Sequence, residues 1–242
     1  MPLYSKEIIK HFPILAIDPN GDYVDYWNHF IINGNLGAYP KVIRYVFSMS
    51  GAILNLPAKC AKDPNQYIKL FNIDLNEFKG SPRDLAEAII VYYAGYIVGR
   101  ELQASSLGAL FKHMIEKRIV GDLNALFTNE RLYNMLRQLV YNPPQGISIH
   151  PQTRDAIERQ LDTFRRDIVE TYHLIGRTRE PFTRSTVDEL VKKGGMVVID
   201  FTVNSAPGYP THLKQFIVYY IAYVLFKRFV EYKSEEPQQR SL

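Results

Sequence analysis

The sequence predicts an α/β protein built on a mostly parallel sheet that carries a large helical insertion. Two observations lead there. FPILAI (12–17) and MVVIDF (196–201) are apolar along their whole length, as strands covered on both faces are. Between the early strands and MVVIDF lies a block of helical pattern over about 81–193, and a long helix follows. Strands, helical block, then strand and helix is the order of an α/β domain with an insertion.

The elements follow in order. SKEIIKH (5–11) reads as the last turns of a helix, and FPILAI as the first strand. KVIRYVF (41–47) is a second strand and IKLFNI (68–73) a weaker third. Ser81-Pro82-Arg83-Asp84 starts a helix with proline in its first turn, and the pattern runs to about Gly99. Further helices fit 104–118, 129–141 and 152–175, the last two parted by the turn PPQG at 143–146. Thr186 and Glu189 have the spacing of a capping box for a helix over 186–193, which Gly194-Gly195 ends. After MVVIDF, the loop NSAPGYP leads into a helix over about 211–232 and a polar tail. No internal repeat stands out.

Composition narrows the class. The 242 residues are 46% hydrophobic and 22% charged, which supports a real core. A net charge of +4 is compatible with an anionic partner. Cys60 is the single cysteine, so no internal disulfide can form and a reducing, cytoplasmic setting is expected. The N-terminus shows no signal-peptide pattern. The longest apolar run, 216–226, falls short of the roughly 20 residues of a membrane span.

Both clear strands end on an acid, Asp18 and Asp200. In parallel α/β sheets, ligands gather beyond the carboxyl ends of the strands, so both acids are candidate site residues. The alternative is structural: Asp18 before Pro19-Asn20-Gly21 is a good Asx-turn former. DPNGDY does not fit a calcium loop, since its glycine is at the fourth place and His29 stands at the twelfth.

With those residues in view, the chain resembles the HerA/FtsK class of RecA-like motor ATPases, and HerA-type helicases most. ILAIDPNGDY (14–23) resembles the family's strand and D-P-x-G-E-Y turn, with Asp22 in place of the usual Glu. IKLFNIDLNEF (68–78) resembles the lead into its helical insertion. MVVIDFT (196–202) with the helix at 212–233 resembles the strand and helix before its catalytic strand. The resemblance implies one partial, incomplete RecA-like P-loop-type domain over 1–242. It also implies a complete parent that uses ATP and Mg2+, forms a homo-oligomeric (hexameric) ring, moves or opens DNA, and works in DNA repair with a nuclease partner. Asp18, Asn20, Gly21 and Asp22 would line the edge of its nucleotide site, with Asp200 supporting the catalytic strand.

The departures are as specific. No G-x-x-x-x-G-K-[ST] occurs, and no apolar strand ends in Glu-Glu-Ala or Asp-Glu-Ala. The resemblance places the first upstream of Met1 and the second past Leu242, so the chain reads like a motor domain with both ends removed. No cofactor or ATP hydrolysis is expected of this chain alone. Without those central strands, strands 12–17 and 196–201 are each expected to lose a neighbour and the isolated chain to be poorly stable. A non-catalytic assembly or DNA-binding subunit is the alternative reading. A metal-dependent nuclease using Asp18, Asp22 and Asp25 comes last.

For DNA, the arginines of 154–184 are interleaved with acids and read mainly as a salt-bridged, solvated helix face. Arg177 and Arg179, in the expected loop GRTREPF, are the weak DNA-binding candidates. The six histidines lack metal-ligand spacing, so no metal site is expected. Tyr92, Tyr93, Tyr96, Tyr219, Tyr220 and Tyr223 recur at helical spacing and read as core.

Overall fold

Four strands pair into one all-parallel sheet: β1 (Ile14–Asp18), β2 (Val42–Val46), β3 (Ile68–Leu70) and β4 (Met196–Asp200), in the order β1-β4-β2-β3. The computed structural model describes residues 13–33, 42–49, 63–93, 100–175 and 180–239. The helices among these residues are α1 (Asp22–Asn33), α2 (Pro82–Glu87), α3 (Arg100–Glu116), α4 (Leu123–Thr128), α5 (Glu130–Tyr141), α6 (Pro151–Arg165), α7 (Arg184–Lys193) and α8 (Thr211–Gln239). The α/β class, the parallel sheet and the helical block between β3 and β4 are those the sequence predicts. The chain divides into two compact units: Met1–Phe71, Phe182–Tyr209 and Lys227–Leu242 form one, and Asn72–Pro181 with Pro210–Phe226 the other.

In the sheet unit, β4 lies between β1 and β2. Register pairs run from Ile14↔Met196 to Asp18↔Asp200 on one side and from Val42↔Met196 to Tyr45↔Ile199 on the other. This corrects the expectation that both clear strands lose a neighbour. β4 is flanked on both sides, while β1 has one neighbour among the described residues. Side chains alternate across each strand. One face sets Ala16, Val42, Val46, Met196 and Val198 in a core with Val24 and Trp27 of α1. On the other, the Tyr45 ring meets Phe71 and Phe182 edge-on, each at 5.9 Å. Every residue of β2 and β4 is buried, which is why both are apolar but for Arg44 and the terminal Asp200.

In the helical unit, α2 continues into a π turn, Ala88–Tyr93, and α6 into a second, Arg166–Thr171. The core is an aromatic file: Phe111 to Phe127 at 6.4 Å, Phe127 to Phe164 at 5.4 Å, and Phe164 to Phe216 at 4.9 Å. Tyr93, Tyr220 and Tyr223 are buried, as their helical spacing indicates. α3 crosses α2 closely at Gly108, where an added Cβ would stand 3.0 Å from Arg83 Cα.

Two copies of Asp-Leu-Asn, at 74–76 and 122–124, clasp one another with matching hydrogen bonds. The amide of Leu75 donates to Asn124 Oδ1 at 2.8 Å, and that of Leu123 to Asn76 Oδ1 at 2.9 Å. Asn124 Nδ2 donates to Asp74 Oδ1 at 2.7 Å, and Asn76 Nδ2 to Asp122 Oδ1 at 2.8 Å. Each aspartate also accepts from the amide of its own asparagine at 2.9 Å, turning the chain into a helical turn. At three residues the motif is too short to stand out as a repeat by inspection.

Some boundaries moved. α1 and α4 lie where no helix was expected. α7 begins at Arg184, because Thr183 caps it in a box closed by Thr186, so Thr186 is the third helical residue and not the cap. The second strand pairing ends at Leu70, although the Phe71 amide still donates to Val46 O at 2.8 Å. The expected helix end at 5–11, Cys60, Tyr96, Arg177 and Arg179 lie outside the described residues.

Replacing Asn124 by Ala removes a donor and an acceptor and leaves the Leu75 amide without its partner. We expect a loss of about 1–3 kcal/mol in urea unfolding, a similar loss for Asn76→Ala, and less than the sum for the double variant. Strictly additive losses would show that the two halves do not act as one clasp.

Candidate functional site

The carboxyl ends of β1 and β4 carry the two strand-end acids, Asp18 and Asp200. β1 stops at Asp18 because its carboxylate takes over three backbone amides. Oδ1 accepts from Asn20 at 3.2 Å and Gly21 at 2.8 Å, and Oδ2 accepts from Val24 at 2.7 Å. Those amides belong to the turn and the first turn of α1, whose orphan donors a carboxylate satisfies well. Gly21 has φ +103°, a left-handed conformation that suits glycine, and its carbonyl accepts from Asp25 N at 2.9 Å. Asp22 and Asp25 lie in the first turn of α1, complementing the helix dipole.

Asp200 is fully buried, and Arg44 of β2 is its partner. Arg44 Nε donates to Asp200 Oδ2 at 2.9 Å and Nη2 donates to the same oxygen at 2.6 Å. Asp200 Oδ1 accepts from the Thr202 amide at 2.9 Å. The guanidinium carbon stands 5.7 Å from the centre of the Trp27 ring, a cation–π contact. Sequence reasoning took KVIRYVF as a strand and passed over Arg44. The available signal was one arginine inside an apolar strand, in a chain where another apolar strand ends on an acid.

Beyond the sheet, the loop 201–209 folds back. Phe201 N donates to Asp18 O at 2.8 Å, extending the β1–β4 ladder. Buried Ser205 accepts from the Phe47 amide at 3.2 Å. The Phe47 ring stacks on Phe201 at 4.7 Å and packs against Tyr209 at 5.0 Å.

The structure therefore brings Asp18, Asn20, Gly21 and Asp200 to one sheet edge, with Asn20 and Asp22 exposed there and both strand-end carboxylates buried. Asp18, Asp22 and Asp25 form no metal-holding set: no group of three or more His, Cys, Asp or Glu is arranged to hold an ion among the described residues. Of the arginines over 154–184, Arg165 pairs with Glu170 at 3.0 Å, Arg166 with Asp167 at 3.4 Å, and Arg184 with Glu231, while Arg154 donates to Ile149 O at 3.1 Å. Among the described residues, Arg165 and Arg166 thus pair with the interleaved acids, while Arg184 pairs outside the stretch and Arg159 with no acid. No described helix is long and apolar enough to cross a membrane.

No family model, curated protein or solved structure matches this chain.

Arg44→Met leaves a buried carboxylate without its cation, and we expect about 3–5 kcal/mol of lost stability. Arg44→Met combined with Asp200→Leu should recover most of it. A double variant as unstable as the single one would show that the pair is not what the arginine serves. Asp18→Ala strips α1 of its cap and should cost about 1–2 kcal/mol in the same urea unfolding measurement.

Proposed function

We propose that this chain is part of a HerA-type, RecA-like motor ATPase. The complete parent couples hydrolysis of ATP with Mg2+ to moving or opening DNA, as a homo-oligomeric ring with a nuclease partner. The observation that carries the reading is the position of DPNGDY. The motif lies at the carboxyl edge of an all-parallel sheet, with Asp18 in register beside Asp200 of the adjacent strand. Ligands of parallel α/β folds bind at that edge. In the parent, Asn20, Gly21 and Asp22 border the nucleotide, while Asp18 and Asp200 hold the turn and the sheet behind it. A helical block between β3 and β4 fits the insertion of these motors.

This chain alone is not expected to hydrolyse ATP. The phosphate-cradling amides and lysine of G-x-x-x-x-G-K-[ST] and the paired acids of a catalytic strand are absent from its sequence.

A second reading, a non-catalytic assembly or DNA-binding subunit, is favoured by one observation. Both strand-end carboxylates are already occupied, Asp18 by three amides and Asp200 by Arg44 and the Thr202 amide.

Sequencing the DNA on both sides of the reading frame separates the two. The motor reading expects a G-x-x-x-x-G-K-[ST] within about 30 codons upstream and an apolar strand ending in Glu-Glu or Asp-Glu downstream. The protein carrying both should release phosphate from ATP, and this chain alone should not. Start and stop signals that bound the chain with neither motif present would overturn the motor reading in favour of the subunit.

A further inference from the structure

The helical unit holds a cavity of 410 Å³, within the roughly 300–1,000 Å³ of small-molecule sites. Tyr93 closes the first π turn into it, Arg100 enters from the start of α3, and His212 from the first turn of α8. α6 supplies Arg159, Gln160 and Thr163, with Ala156 beside them. Among the described residues, two guanidiniums and an imidazole line it, and no acid does.

A buried acid supports the lining. Asp167 is buried, and its Oδ2 accepts from the Tyr93 hydroxyl at 2.5 Å and lies 3.3 Å from His212 Nε2. Its Oδ1 accepts from Arg166 Nε at 3.4 Å. The His212 ring meets the Tyr93 ring edge-on at 4.7 Å. Burial, then the hydrogen bond to Asp167, holds the Tyr93 phenol well above its ordinary range, so it stays a donor.

Two further features single this place out. Arg159 is exposed and makes no ion pair among the described residues, unlike Arg165, Arg166 and Arg184. Both π turns supply this cluster, one through Tyr93 and the other through Asp167. Such turns are rare and shift a side chain off the α-helical register, frequently at functional sites.

We propose that this cavity binds a small phosphorylated anion. Arg159 and Arg100 hold the phosphoryl oxygens, beside the His212 ring that Asp167 anchors. Guanidinium forks match phosphoryl oxygens in geometry and charge. The Tyr93 ring, Ala156 and the Thr163 methyl leave an apolar wall for the organic part of the ligand. This inference does not rest on the motor reading, since no residue of the sheet edge takes part.

The test is calorimetric titration of the full chain with sodium pyrophosphate. Saturable binding at millimolar concentration is expected, weakened about tenfold by Arg159→Gln and unchanged by Arg131→Gln, an exposed arginine outside the cavity. Thermal melting of both variants should match the parent chain, because both side chains are exposed. Absence of saturable binding overturns the proposal, as does equal weakening by the two variants, which would mean diffuse charge attraction. Displacement of pyrophosphate by a short DNA duplex would assign the arginine to backbone phosphates and overturn the small-molecule site.

Discussion

The ion pair between Arg44 and Asp200 is the constraint on which the sheet unit depends. Both members are buried on the α1 face of the sheet, next to its apolar core. Removing two charges from water is costly, and their attraction offsets that only when the geometry is good and the remaining polar atoms are met. Here Arg44 Nε and Nη2 converge on one carboxylate oxygen and a backbone amide takes the other, while Arg44 Nη1 is buried without a hydrogen-bond partner among the described residues. The pair also discriminates between registers. A slip of β2 by one residue would turn Arg44 to the aromatic face of Tyr45, Phe71 and Phe182 and leave Asp200 alone in the core. Apolar strands such as VIRYV and MVVID carry little register information of their own, and one misplaced charge supplies it.

Asp18 solves a related problem at the sheet edge. A helix that starts four residues after a buried strand brings unpaired amides to a place with little water. One carboxylate meets three amides of that turn. Asp18 and Asp200 are register partners on adjacent strands, so two carboxylates lie side by side without sharing a ligand, each with its own donors. Their chemistry is therefore spent on architecture, and the exposed polar groups of the edge are those of the turn that follows, Asn20 and Asp22.

The helical unit uses neutral and charged polar groups in the same way. The Asp-Leu-Asn clasp ties the turn before α2 to the start of α4 through side-chain amides that each donate and accept. The contacts are reciprocal, so each half completes the hydrogen bonding of the other. The Tyr93–Asp167–His212 cluster is different. It spends a buried carboxylate on orienting two side chains at the wall of a cavity, and no backbone amide needs it there.

Much of the fold was legible in the sequence. Unbroken apolar runs ending on acids indicated buried parallel strands. Helical periodicity placed the insertion and the long last helix, whose Leu213, Phe216, Ile217, Tyr220, Ile221 and Val224 are all buried. Of the edge site, Asp18 and Asp200 were legible as strand-end acids, and Asp18 also as the former of the turn. The partners were not. Arg44 lies 156 residues from Asp200, and Asp74 lies 50 from Asn124, so nothing local shows which partner each takes. The sequence by itself determined most of the segments that become strand or helix, α1 and α4 apart, because period and turn chemistry act within a few residues. Only the tertiary structure decided the placement of β4 between β1 and β2, the pairing of Arg44 with Asp200, and the convergence of Tyr93, Asp167 and His212. Those depend on which distant segments exclude water together, and burial gives a charge its partner only after the chain has closed around it.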